Sequence, residues 1–174
     1  MFCVLPGAKH KSYPIFRGFD VLPLNPDLSH NAIANFQLSI VHCYFACNMP
    51  VALTKTFRFE AAHFLPTFAE GHKCRRMHGH SFRVEIKVKG EIDPVSGILV
   101  DFGDIKAVVK PIIDGLDHYC LNELGKERNE ALLLNPTSEN LAKWLFRTIK
   151  PKLKILSSIV VHETCTSLCE YWEE

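Results

Sequence analysis

Between Ser81 and Lys89 the chain alternates polar and apolar residues at every step (Ser81-Phe82-Arg83-Val84-Glu85-Ile86-Lys87-Val88-Lys89). That period belongs to a strand with one face buried and the other in water, so this stretch demands an apolar layer on one side only. A second strand-like stretch, about residues 54–65, precedes it, and a loop carrying Gly71, His72 and Cys74 joins the two. His78 and His80 stand two residues apart at the mouth of the second strand and therefore point to one face. His63, near the end of the first strand, can add a third imidazole. Three imidazoles on a tetrahedral metal such as zinc leave one position open for water or substrate, which is the mark of a catalytic rather than a structural site. Cys74 is close by chain connectivity and is a candidate acid, base or nucleophile rather than a fourth ligand. In a chain with nine histidines a lone His-x-His arises easily by chance, and it is the third imidazole and the thiol that single out this one.

Length and charge narrow the rest. At 174 residues and 47% hydrophobic content, one sizeable core is expected. A formal net charge of +1 provides no concentrated basic surface for nucleic acid. Lys73, Arg75 and Arg76 form a short local basic cluster, suited to an anionic substrate or simply to solvent. Seven cysteines is an odd count in a chain too large and apolar to need disulfide staples, so free thiols in a reducing cytoplasm are expected. The opening residues lack the basic start and sustained apolar run of an export signal, and residues 32–47 are too short and polar to span a bilayer.

Taken in order, residues 1–48 hold no lasting period and are punctuated by Pro6, Pro14, Pro23 and Pro26. They read as a poorly ordered N-terminal extension, with Met49 a candidate start for a domain over residues 49–174. His42, Cys43 and Cys47 lack a matching second half and are not expected to form a metal site. After the two strands come a turn (Asp93, Pro94, Gly97) and a short strand, Ile98-Leu99-Val100. A helix follows, capped by Asp101 or Asp104, with Ile105, Val108, Val109, Ile112 and Ile113 on its apolar side and a kink or break expected at Pro111. Residues 122–134 read as a surface loop. Thr137 or Ser138 caps a further helix with Leu141, Trp144, Leu145 and Ile149 inward, and strands at residues 158–163 and 170–172 close the chain. The expected fold class is α+β, a four-stranded antiparallel sheet with two helices packed on one face.

Two more features carry chemistry. Asp117 and His118 adjoin, and a carboxylate beside an imidazole can fix its tautomer and raise its basicity, although an exposed pair at a helix end is the plainer reading. Glu163 ends an apolar strand, where a carboxylate needs a donor. The two parallel N–H groups of an amino-pyrimidine edge suit it, and an ordinary ion pair is the alternative.

Phe59-Glu60-Ala61-Ala62-His63, Cys74-x-x-x-His78-Gly79-His80, Leu116-Asp117-His118, Pro136-Thr137-Ser138-Glu139 and Glu163-Thr164-Cys165-Thr166 fall in the order seen in the 6-pyruvoyltetrahydropterin synthase superfamily, and residues 54–172 resemble it. The short spacing from Cys74 to His78 and the Glu-Thr-Cys-Thr-x-x-Cys ending are similar to the branch that makes 6-carboxy-5,6,7,8-tetrahydropterin for queuosine. The resemblance implies a tunnelling fold (T-fold), with trimers closing their sheets into a barrel and two trimers stacking into a homohexamer. It implies zinc on His63, His78 and His80. Cys74 becomes the base or proton shuttle, Asp117 and His118 complete a relay, and Glu163 anchors the pterin ring with help from Thr137, Ser138 and Thr164. Active sites in such an assembly lie between subunits. The implied substrate is 7,8-dihydroneopterin triphosphate, with no nucleic-acid or membrane partner. The alternatives are triphosphate elimination alone, as in tetrahydrobiopterin synthesis, and a non-catalytic zinc-stabilised module with Cys74 as fourth ligand.

Overall fold

The computed structural model describes residues 50–174. The expectations for residues 1–48, including His42, Cys43 and Cys47, lie outside the described residues.

Strands β1 (Pro50–His63) and β2 (His78–Glu91) form a long antiparallel ladder from Pro50 opposite Glu91 to His63 opposite His78. Helix α1 (Phe102–Asp114) follows, then β3 (Tyr119–Cys120), α2 (Leu121–Glu127), a 3-10 turn (Ala131–Leu134), α3 (Ser138–Ile149), β4 (Leu156–His162) and β5 (Leu168–Tyr171). The strand order is β3-β1-β2-β4-β5. The sheet thus has five strands rather than four. The added edge strand, β3, is two residues long and runs parallel to β1, a connection made through the α1 crossover.

The alternation in β2 does what its period demands. Phe82, Val84, Ile86 and Val88 are at most 1% exposed beneath the helices, joined from β1 by Phe57, Phe59 and Ala61. Each such large side chain removed from water stabilises the fold by about 1.5–3 kcal/mol. The opposite face is polar and internally paired: Ser81 donates to Glu60 at 2.6 Å, Lys87 meets Glu170 at 3.0 Å, and His162 lies 2.9 Å from Glu85.

Helix starts follow their local chemistry. Asp101 accepts from the Gly103 N–H to open α1, and Thr137 accepts from the Asn140 N–H at 3.2 Å to open α3. Helix α1 continues through Pro111 to Asp114. Two further expectations are corrected. Ile98-Leu99-Val100 forms no strand and joins no ladder; Leu99 and Val100 instead lie against the core, Leu99 over Gly90 of β2, as a lead into α1. Residues 122–134 contain α2 and the 3-10 turn rather than a loop, with Leu121, Leu124 and Leu133 in the core. Among the described residues no helix is long and apolar enough to cross a membrane.

Candidate metal centre and substrate cavity

The β1–β2 register builds the site. His63 stands directly opposite His78, and His80 is two residues further along the same face, opposite Ala61. Ring centroids are 4.5 Å apart for His63 and His78, and 5.1 Å for each of the other two pairs. Glu163, just beyond β4, brings a carboxylate oxygen to 3.3 Å from Nε2 of both His63 and His80. These four side chains offer ligand atoms that all lie within 4.8 Å of one another.

Hydrogen bonds fix which nitrogens face inward. Nδ1 of His63 bonds the Pro136 carbonyl at 2.9 Å, and Nδ1 of His78 bonds the Arg76 carbonyl at 2.8 Å. A carbonyl only accepts, so both Nδ1 atoms carry the proton and a neutral ring presents its lone pair at Nε2. Nε2 of His63 and of His80 is buried without a hydrogen-bond partner. An imidazole lone pair facing a carboxylate oxygen is two acceptors turned on each other, an arrangement that a cation between them relieves. Three inward imidazole nitrogens therefore fit a divalent metal such as zinc, whose charge would also balance the Glu163 carboxylate at the edge of the group.

Hydrogen bonding from the His63 ring, opposed by burial and helped by the Ser138 hydroxyl (2.7 Å) and His80, holds the Glu163 carboxyl down at about 2; with the His63 lone pair turned inward, Ser138 and a bound cation would supply that stabilisation instead. Burial, aided by the other two imidazoles and countered by Glu163, lowers His80 from its ordinary value and favours the neutral ring that a metal needs.

Cys74 sits half-buried on a 3-10 turn (Lys73–Arg75) whose start is capped by His72, with Nδ1 accepting from the Cys74 N–H at 3.1 Å. It shares a cavity of about 570 Å3 with Lys73, Arg76, Met77, His78, His80, Glu163 and Thr164. The thiol, two of the three imidazoles and the carboxylate thus line one cavity. Ser138 reaches the site through Glu163, whereas the Thr137 hydroxyl is engaged as the α3 cap.

Asp117 and His118 stand elsewhere on the chain. The Asp117 carboxylate accepts the Glu60 N–H at 2.8 Å, the interaction that chiefly depresses its pKa, and lies 3.0 Å from Nδ1 of His118. His118 has φ of 62°, a left-handed conformation uncommon outside glycine, secured by its N–H donating to the Glu60 carbonyl at 2.6 Å. Its side chain is 78% exposed and lines a separate cavity of about 450 Å3; His80 forms part of the wall of both. The Cys74 thiol and His118 thus line different cavities of the chain.

Sequence reasoning missed Asn122, which is 1% exposed and staples the chain around His63. Its side chain donates to the Phe64 and Leu134 carbonyls (2.8 and 3.0 Å) and accepts the Phe64 N–H (2.9 Å). It also missed the Pro136 and Arg76 carbonyls. Backbone groups leave no residue-type signal, and Asn122 stands among Glu123, Lys126 and Glu127 in a stretch that reads as a surface loop, so nothing in its residue type marked it.

The sequence profile of the family described as 6-pyruvoyl tetrahydropterin synthase matches residues 52–174. A Synechocystis protein named 6-carboxy-5,6,7,8-tetrahydropterin synthase is 42% identical over 125 residues, 68% of this chain and 90% of the relative. A Haemophilus influenzae protein of the same name is 32% identical over 142 residues, 70% of this chain and 98% of its own. The solved structure of the Caenorhabditis elegans 6-pyruvoyl tetrahydropterin synthase superposes with a TM-score of 0.64 at 26% identity, covering 73% of this chain and 98% of that one.

Proposed function

The chain belongs to the 6-pyruvoyl tetrahydropterin synthase family, and on that premise we propose that it is a zinc-dependent carbon–carbon lyase acting on a pterin. The reaction takes 7,8-dihydroneopterin triphosphate and water to 6-carboxy-5,6,7,8-tetrahydropterin, acetaldehyde and triphosphate, serving queuosine synthesis in a reducing cytoplasm. One observation carries the reading: unpaired Nε2 atoms of His63 and His80 converge on Glu163 in the wall of the cavity that holds Cys74.

His63, His78 and His80 hold the metal, their outer nitrogens fixed where the Pro136 and Arg76 carbonyls are present. When bound, zinc supplies a Lewis acid that stabilises negative charge on the substrate's side-chain oxygens. Glu163, ionised throughout the physiological range and steadied by Ser138, accepts the two N–H groups of the amino-pyrimidine edge, with Thr164 beside it in the cavity. Gripping the flat ring fixes the side chain relative to the thiol, which converts binding into positioning. Cys74 Sγ takes the proton from the carbon next to the developing carbonyl. Asp117 keeps Nδ1 of His118 as the protonated nitrogen, so Nε2 of that ring is free to exchange protons with the site. Because Cys74 and His118 line different cavities of one chain, His118 reaches the thiol from a second copy, in the hexamer of two trimers. The catalytic domain is residues 49–174, and a chain begun at Met49 is expected to fold and turn over.

The test is to incubate the zinc-loaded protein with dihydroneopterin triphosphate and identify every product. Acetaldehyde with 6-carboxytetrahydropterin supports the reading. Triphosphate release without acetaldehyde indicates 6-pyruvoyltetrahydropterin formation instead, and no turnover with zinc bound returns the chain to a metal-stabilised module.

A further inference from the structure

The turn between β1 and β2 carries three basic residues, and the structure sorts them. Arg75 points away from the cavity, its guanidinium donating to the Phe68 carbonyl at 3.0 Å. Lys73 and Arg76 line the cavity that also holds Cys74, His78, His80 and Glu163. Neither takes part in an ion pair among the described residues, whereas Arg83, Lys87, Lys110 and Arg147 each have a carboxylate partner.

Their backbone is tied to the metal-binding group. The Arg76 N–H donates to the Lys73 carbonyl at 3.2 Å, and the Arg76 carbonyl takes the Nδ1–H of His78 at 2.8 Å. The cavity wall therefore offers two cations without an ion-pair partner among the described residues, on backbone that is tied to His78. Two cations in one cavity wall exceed the single negative charge of Glu163 there, so an anion is the natural complement. Arginine binds a phosphate through two parallel N–H groups and lysine as a point charge, and together they suit a polyphosphate better than a single carboxylate.

We infer that Lys73 and Arg76 grip the triphosphate of the substrate and take up the charge that gathers on it as it leaves. The inference rests on the pterin-triphosphate reading of the site. In that step the carbon–oxygen bond to the triphosphate breaks and its electron pair stays on the triphosphate oxygen. The neighbouring carbon gives its proton to the base, and the electrons of that C–H bond become the new carbon–carbon double bond. Ring recognition and phosphate recognition are then separate properties of one cavity, the first belonging to Glu163 and the second to the basic pair.

Binding separates them without requiring turnover. Neopterin triphosphate and phosphate-free neopterin, both fluorescent, are titrated with the zinc-loaded full chain and with the K73A/R76A double variant. The wild type is expected to prefer the triphosphate, with a preference that shrinks as salt is raised. The double variant is expected to lose about a hundredfold in triphosphate affinity, about tenfold for each charged contact, with neopterin affinity and zinc content unchanged. The conservative swap K73R/R76K keeps most of the preference. A double variant that retains the preference, or a wild type with none, overturns the inference. Equal loss for both ligands also overturns it, by making the pair structural. If the wild type shows the preference but does not turn over dihydroneopterin triphosphate, the proposed reaction falls and the binding pair stands.

Discussion

Asn122→Ala tests how the protein holds its first imidazole. The side chain makes three hydrogen bonds, two to Phe64, which follows His63, and one to Leu134, two residues before the Pro136 carbonyl that bonds His63. At about 1 kcal/mol net per bond, truncation costs about 3 kcal/mol of stability, and the backbone groups left without partners raise rather than lower that figure. The same change loosens both sides of the His63 ring. Groups that hydrogen-bond a ligating histidine directly are worth about 10–100-fold in metal affinity, so Asn122, one step further out, should cost about tenfold. Stability is read by denaturant unfolding of the metal-free protein, and affinity by competition with a chromophoric chelator. Both should fall together. A variant within about 0.5 kcal/mol of the wild type, or one that loses stability with metal affinity intact, refutes the idea that Asn122 positions the ligand.

Cys74→Ala should keep zinc and pterin binding and lose turnover by at least about 100-fold, the lower end for removing a general base; full activity removes the thiol from the mechanism. Glu163→Gln should keep zinc while weakening neopterin binding by about 2–3 kcal/mol, the loss of charge from two hydrogen bonds; a parallel fall in metal content would make Glu163 a ligand instead. Mixing Cys74→Ala chains with His118→Ala chains after dissociation should restore about a quarter of the sites, since each site between copies then draws one intact thiol and one intact imidazole by chance. No recovery on mixing counts against a relay shared between copies. Zinc retention should also depend on pH. Protons compete for the imidazoles, and the His80 pKa is held below its ordinary 6.5, so the neutral, metal-holding state persists at neutral pH and is lost as pH falls. Equilibrium dialysis across pH 7 to about 4 follows the loss, and unchanged occupancy at the acid end contradicts imidazole ligation.

How much of this was legible in sequence depends on the range of the interaction involved. The β1–β2 pair and its three imidazoles could be read because strand period decides facing locally, and His78 and His80 share a face in any strand that contains them. Strand β3 could not, since two residues contain no period, and its place is set by α1 returning the chain to the Glu60 edge of β1. Helix α2 was hidden by Gly125, an unfavourable helix residue that is required because a Cβ there would lie 2.7 Å from the Leu133 carbonyl carbon. Ile98-Leu99-Val100 has the composition of a strand but joins no ladder. Glu163 was singled out as a costly carboxylate, but its approach to His63 and His80 joins residues 100 and 83 positions apart, information the local pattern does not contain. The separation of Cys74 from Asp117 and His118 is likewise a matter of chain path alone.

The most direct test of the account is the metal itself. Elemental analysis and zinc-edge X-ray absorption of the purified full chain should give one zinc per chain with three imidazole nitrogens at about 2.0–2.1 Å and one exchangeable oxygen ligand, and His78→Ala should abolish the stoichiometric signal. A sulfur scatterer at about 2.3 Å would make Cys74 a closed fourth ligand, and a full zinc complement in His78→Ala would contradict the ligand set outright.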